Sequence, residues 1–170
     1  MGMLQIGCDL CRIDSLDQML KNEPESLERL FNPEERGHAL SQKEPARHLA
    51  GVFAAKEALA KAIRDPKLLG KYYREVTVAH QENGTPELRL SDRLSESLSG
   101  QGIRVTDCSI SHDGEYAVAA VLIEKKPLRC DQCGMSLSVL EERGISSNLL
   151  QIVDKSGKAG YLCPACFRGW

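Results

Sequence analysis

No stretch of this chain stays apolar for the roughly 20 residues that a membrane-spanning helix needs. The opening Met-Gly-Met-Leu-Gln-Ile lacks the charged-then-apolar layout of a secretion leader, and acids appear from Asp9 onward. A cytoplasmic setting with no membrane partner is the expectation. Internal repeats and low-complexity segments are absent too, which excludes solenoids and fibrous assemblies. What remains, 42% apolar and 27% charged, is the composition of a soluble globular protein. A length of 170 residues gives room for one well-buried domain and a small appendage.

Seven cysteines are an odd number for a disulfide framework, and they are unevenly placed. Cys8, Cys11 and Cys108 lie in the body, whereas Cys130, Cys133, Cys163 and Cys166 form two close pairs near the end. In a reducing compartment such pairs point to metal. The net charge of −2 hides an asymmetry: residues 1–124 hold 15 Lys+Arg against 20 Asp+Glu, a balance of −5, and residues 125–170 hold 7 against 4, a balance of +3.

Met3 to Leu10 reads as a short strand with Asp9 near its end. Ser15 to Leu20 is helical, Asn22 to Ser26 breaks it, and Leu27 to Phe31 makes another turn. Asn32-Pro33-Glu34-Glu35 has the form of a capped helix start. The clearest helix spans Pro45 to Ile63, ended by Asp65-Pro66. Val52, Ala55, Leu59 and Ala62 give it a core-facing stripe, and Phe53, Glu57 and Lys61 lie along a second face. Strands follow over 75–80 and 87–90 around an Asn83-Gly84-Thr85-Pro86 turn, then a helix over 91–98 and strands over 104–111 and 116–124. The body is therefore expected to be α+β with a mostly antiparallel sheet. Lys125-Lys126-Pro127 reads as a linker, dividing a domain of residues 1–126 from a small module of residues 127–170.

Three segments carry candidate chemistry. Asp9 closes a strand, Glu57 and Lys61 share a helix face, and Ser111-His112 ends another strand. Two acids facing each other across a strand and a packed helix offer hard oxygens to Mg²⁺, an ion that shares its shell with water and substrate phosphates. A lysine one turn from Glu57 puts a cation beside those phosphates. Taken alone, the Glu57–Lys61 spacing is also that of a solvated salt bridge, Asp9 that of a turn residue, and His112 that of a loop histidine.

Ordered motifs separate these readings. Ile6-Gly-Cys-Asp9-Leu10, Leu27-Glu-Arg29-Leu-Phe31-Asn-Pro-Glu-Glu35, Phe53-Ala-Ala-Lys56-Glu57-Ala-Leu-Ala-Lys61-Ala62, Asn83-Gly84-Thr-Pro86 and Ser109-Ile-Ser111-His112 occur in this order. Over residues 3–124 the chain resembles the holo-acyl-carrier-protein synthase group of 4′-phosphopantetheinyl transferases. The resemblance implies a Mg²⁺-dependent enzyme that moves the 4′-phosphopantetheine arm of coenzyme A onto a serine of an apo-acyl carrier protein, releasing adenosine 3′,5′-bisphosphate. It implies that Asp9 and Glu57 hold Mg²⁺, that Lys61 contacts phosphate, and that Gly84, Pro86, Ser111 and His112 shape the coenzyme pocket. Asp9, Glu57, Lys61 and His112 are then the catalytic set, in a homotrimer with sites between subunits. The proton acceptor stays open between a metal-bound water and Glu57. Two departures stand out. Ser15 occupies a position where the family usually has an arginine facing the carrier protein, with Arg12 the nearest arginine, and Arg64-Asp65-Pro66-Lys67 replaces a Gly-rich turn, with Gly70 arriving late.

Cys130-Asp-Gln-Cys133 and Cys163-Pro-Ala-Cys166 are two CxxC knuckles with 29 residues, 134–162, between them. Two such knuckles complete a tetrahedral four-thiolate shell, which is closed and therefore structural rather than catalytic. The spacing is similar to that of the iron protein rubredoxin. Here the tail's aromatics, Tyr161, Phe167 and Trp170, all sit at one end, and Phe167 stands where rubredoxin has Gly, which favours structural Zn²⁺. Cys8 and Cys11 also form a CxxC but read as ordinary residues around Asp9, with Cys8 expected in the core beside Ile6 and Leu10. His38, His48 and His80 show no ligand spacing and read as solvated or packed.

A rival reading is a degenerate transferase domain whose zinc module docks a synthase partner. Retention of Asp9, Glu57, Lys61 and His112 argues against it, since a scaffold has no need of that set. A local balance of +3 gives weak support to nucleic-acid binding. The basic residues Lys125, Lys126, Arg129, Arg143, Lys155, Lys158 and Arg168 are instead expected to attract an acidic carrier protein. Removing the tail should then raise the Michaelis constant for that protein.

Overall fold

A computed structural model describes residues 2–64, 72–136, 149–153 and 159–167, together with 139, 142 and 143. The expected Asp65-Pro66 helix stop, the Lys67 and Gly70 departures, and Lys155, Lys158, Arg168 and Trp170 lie outside the described residues. The chain separates into two compact units, Met3–Lys125 and a second built mainly from Lys126–Trp170.

The first unit is built around one helix and one sheet. Strand β1 (Met3–Arg12) and strand β4 (Ile103–Asp113) flank strand β5 (Tyr116–Lys125), all antiparallel. Helices α1 (Ile13–Asn22), α2 (Pro24–Leu30) and α3 (Pro33–Ser41) lead to the long helix α4 (Pro45–Ile63). After a 3₁₀ turn at Tyr73–Glu75 come the hairpin strands β2 (Val76–His80) and β3 (Pro86–Leu90), then helix α5 (Asp92–Ser99). The α+β class with antiparallel sheets is borne out. Among the described residues, no helix is long and apolar enough to cross a membrane.

Proline punctuates the helical part by starting helices. Pro24, Pro33 and Pro45 each open one, where a missing N–H costs nothing. Pro24 thus begins α2 rather than prolonging the break expected at 22–26. Asn32 and Glu35 form the reciprocal capping box: Asn32 Oδ1 accepts from the Glu35 N–H at 2.9 Å, and Glu35 Oε2 from the Asn32 N–H at 3.0 Å. Helix α4 stops at Ile63 because Arg64 turns left-handed (φ 62°), sending its N–H back to Ala60 O at 3.0 Å.

Helix α4 lies on one face of the sheet, and its alanines make the approach close. Val52, Ala55, Leu59 and Ala62 are buried, as the stripe expected, and so is Leu49. Each fully buried Val or Leu side chain contributes on the order of 1.5–3 kcal/mol. At the nearest point β1 has Gly7. A Cβ there would meet Ala58 O at 2.0 Å and Ala62 N at 2.4 Å, so only glycine fits.

That contact fixes the phase of β1 and corrects one expectation. Gly7 and Cys11 are buried beneath α4 with Asp9 partly buried between them, while Cys8 is exposed, as are Ile6 (66%) and Leu10 (61%). Alternation puts the whole apolar row, Leu4, Ile6 and Leu10, on the other face. Cys8 does not point into the core, because the helix selects the face that can offer a glycine and not the more apolar one.

The second unit holds a two-stranded antiparallel hairpin, β6 (Leu150–Val153) and β7 (Ala159–Leu162), followed by a single helical turn, α6 (Pro164–Phe167).

Candidate active site

The register of β1 on β5 pairs Asp9 with Ala119, and that small neighbour leaves the Asp9 side chain room under α4. The helix supplies Glu57 and, one turn later, Lys61 on the same face. Lys61 Nζ donates to Asp9 Oδ1 at 2.6 Å, with the Asp9 side chain 14% exposed and that of Lys61 53%. Glu57 is half-buried, and its carboxyl is pushed above the ordinary range by burial first and the charge of Asp9 second, against the pull of Lys61. The Lys61 ammonium is held above its ordinary range, chiefly by its bond to Asp9. The Asp9 carboxylate thus adds to the cost of ionising Glu57, with one lysine at the opening. An anionic pair of hard oxygens at a solvent-facing edge fits Mg²⁺, and Lys61 has the length to swing from Asp9 to a phosphate.

His112, near the end of β4, packs elsewhere against the same helix. Its Nε2 lies 3.0 Å from Arg47 O, and a Cβ on Gly51 would come within 2.9 Å of that nitrogen. Gly51 and Glu57 are six residues apart, about 9 Å along a helix axis. His112 also lines a pocket of about 220 Å³ with Gln42, Lys43, Glu44, Arg47 and His48. The cationic groups and the imidazole suit it to a phosphate or other anion. Ser111 is exposed on the opposite face of β4, so the structure does not bring it to His112. Gly84 (φ 83°) turns the β2–β3 hairpin, donating to Gln81 O at 2.8 Å, and Pro86 pairs with His80. Arg12, the arginine nearest the substituted Ser15, is engaged by Asp14 at 2.9 Å.

Sequence reasoning missed two features here. Lys56 is fully buried, and its Nζ donates to Glu35 Oε2 (2.6 Å), Leu30 O (3.0 Å) and Tyr73 O (2.7 Å). Glu35 Oε1 in turn accepts from the Val78 N–H at 2.9 Å. Burial pushes the Lys56 ammonium below its ordinary range while Glu35 pulls it back. The signal was available, since Lys56 is one turn after Val52 and so belongs to the buried side of α4. The second concerns His38, His48 and His80. Read as lacking ligand spacing, they instead meet in space, with ring centroids 4.7–5.6 Å apart.

The second unit brings its four cysteines together. Their sulfurs lie within 4.8 Å of one another, with Cys133 and Cys163 at 3.9 Å. A tetrahedral zinc–thiolate shell has sulfurs about 3.8 Å apart, so the set fits a single ion. Both knuckles are tied by backbone: Gly134 N–H reaches Cys130 O at 2.8 Å, and Phe167 N–H reaches Cys163 O at 2.9 Å. Asp131 and Tyr161 link the knuckle to β7, the Asp131 N–H donating to Tyr161 O (2.8 Å) and the Tyr161 N–H to Asp131 Oδ2 (2.7 Å). At Cys130 burial opposes ionisation, but the N–H groups of Cys163, Cys133 and Gln132 outweigh it and draw the thiol down to about 6. Cys166, a free thiol hydrogen-bonded to Cys163 and desolvated, is pushed up to about 12. Among crowded sulfurs the first negative charge is favourable and later ones are not. A divalent cation removes that conflict.

The family model of the 4′-phosphopantetheinyl transferase superfamily matches residues 5–121, more than half of the chain. The chain belongs to this superfamily. It is 38% identical over 120 residues to a holo-[acyl-carrier-protein] synthase of Syntrophotalea carbinolica, covering 70% of this chain and 94% of the relative. It is 37% identical over 123 residues to one of Trichlorobacter lovleyi, covering 72% and 98%. Among solved structures it resembles an ACPS–CoA complex of Chronobacterium ammoniagenes, with a TM-score of 0.63 and 30% identity, covering 73% of this chain and 98% of that one. The family and the enzymatic class expected from the motifs are borne out. The cysteine module lies beyond the matched residues.

Proposed function

We propose that this transferase moves the 4′-phosphopantetheine group of coenzyme A to a serine of an apo-acyl carrier protein. The serine oxygen forms a bond to the β-phosphorus, the bond from that phosphorus to the bridging oxygen breaks, and adenosine 3′,5′-bisphosphate leaves. The observation that carries the proposal is the meeting of Asp9, Glu57 and Lys61 at one sheet-and-helix edge in a member of this superfamily.

Asp9 and Glu57 would hold Mg²⁺, which when bound supplies positive charge to the pyrophosphate oxygens. Lys61 exchanges Asp9 for phosphate and offsets charge on the leaving group. Glu57 would also receive the serine proton. Lys43, Arg47 and His112 line a pocket fit for a further phosphate of the coenzyme, and the Gly84–Pro86 turn is proposed to flank the nucleotide. Within one chain His112 and the acidic pair stand about two helical turns apart on α4. That separation supports sites completed by a second copy. The exposed apolar face of Leu4, Ile6, Leu10 and Val118 supports the same view, and a homotrimer is proposed. Sedimentation of a monomer at micromolar concentration would overturn that part. The cysteine set is assigned to structural Zn²⁺.

The test is mass spectrometry of apo-acyl carrier protein incubated with the chain, coenzyme A and Mg²⁺. A gain of one phosphopantetheine is expected, with none for Asp9→Ala or Glu57→Ala. An unmodified carrier protein in the presence of folded wild-type chain would refute the assignment.

A further inference from the structure

His38 lies in the last turn of α3, His48 lies in the first turn of α4, and His80 closes β2. These elements are held independently, α3 by its capping box, α4 by the sheet and β2 by β3. The three imidazoles still converge. Centroids are 4.7 Å apart for His38–His48, 5.4 Å for His48–His80 and 5.6 Å for His38–His80, and one ring nitrogen of each lies within 4.8 Å of the others. Apart from the four cysteines, no other such group of possible ligands occurs among the described residues.

We propose that His38, His48 and His80 form a three-imidazole site for a borderline transition metal of the Zn²⁺ class. Three nitrogens around a tetrahedral Zn²⁺ stand about 3.4 Å apart, from bonds of about 2.0–2.1 Å. Closing to that spacing takes about an ångström of ring movement, and His38 and His80 are exposed and so have the room. Imidazole in its neutral form is the ligand. The competing contact is weak, a 3.4 Å approach of Gln42 Nε2 to His38 Nε2. With three protein ligands and two exposed rings, the fourth position opens to solvent. Lys43 and Arg47 line the pocket that His48 shares, and their charge lowers affinity below that of the cysteine set. A bound ion would fasten α3, α4 and the β2–β3 hairpin at one point. Through His80, which pairs with Pro86, it would fix the turn proposed to flank the coenzyme. The metal site itself does not depend on the transfer reaction.

The test uses the untagged full chain and Co²⁺, with Mg²⁺ in large excess to hold the carboxylates. The wild type should bind one more Co²⁺ per chain than His38→Gln/His80→Gln, whose exposed positions spare the fold. The extra ion should give visible ligand-field absorption without the thiolate charge-transfer band that marks the cysteine site. Independently of any variant, Co²⁺ should broaden the imidazole resonances of all three histidines together in NMR spectra. Equal Co²⁺ stoichiometry in the two proteins, or sharp imidazole resonances at saturating Co²⁺, would overturn the proposal.

Discussion

Replacing Gly7 with alanine adds one methyl group, and the geometry says that it cannot be housed. The new carbon would sit 2.0 Å from Ala58 O and 2.4 Å from Ala62 N, both backbone atoms of α4. A carbon–oxygen contact needs about 3.3 Å, so α4 must lift from β1 by roughly 1.3 Å. Neither partner is a flexible side-chain tip that could turn aside. Overpacking costs about 1–3 kcal/mol and occasionally more, and two backbone clashes put this case at about 3 kcal/mol or above. A domain with a total stability of about 5–15 kcal/mol would keep its fold but melt roughly 10 °C lower. The same lift carries Glu57 and Lys61 away from Asp9, and a misplacement of about 1 Å costs on the order of 100-fold in rate. Thermal unfolding and transfer rate would be measured together on the full chain. Gly37→Ala is the control, for nothing lies within 4 Å of a Cβ there and the exposed helical site should gain about 0.5–1 kcal/mol. A Gly7→Ala protein that melts with the wild type and transfers at full rate would refute the close-packing account.

Other consequences test separate parts of the molecule. Lys56→Met should cost about 3–5 kcal/mol in urea unfolding, because the buried Glu35 loses its cation, and adding Glu35→Gln should recover part of the loss. A single variant within 1 kcal/mol of wild type, on the order of a surface pair, would show the pair to be unimportant. Cys163→Ser breaks the four-sulfur set at one of its two buried members and should abolish the thiolate charge-transfer band of the Co²⁺-loaded chain. Persistence of that band would assign it to other thiols. Burial, then Asp107, lifts the Cys108 thiol from 9.0 to about 11. The unfolded chain therefore loses this proton first, and stability falls as pH rises from about 9 to about 11. Cys11, lifted by burial to about 11 as well, adds to the decline, so Cys108→Ala should lessen it in urea midpoints, and an identical decline would remove Cys108 as a source.

The elements of the transferase unit were legible because local rules and packing agree in them. The Asn32–Glu35 capping box, the Pro45–Ile63 helix and the Gly84 turn each follow from residue types within a few positions. The acidic pair was legible only through ordered motifs, since a Glu–Lys spacing of four suits both a site and a surface salt bridge. The face of β1 was not legible. Apolar alternation pointed Ile6, Cys8 and Leu10 inward, whereas a single glycine under an alanine-rich helix decided the matter. The histidines were hidden for a different reason. Each belongs to another element, and only the folding of α3, α4 and β2 to a common corner makes neighbours of them.

Transfer of a phosphopantetheine arm is the central claim, and carrier-protein mass reads it directly. Apo-acyl carrier protein, coenzyme A and Mg²⁺ should give the modified protein with wild-type chain. The product should disappear with Asp9→Ala or Glu57→Ala at unchanged melting temperature. Undiminished modification by folded Asp9→Ala and Glu57→Ala would contradict the account.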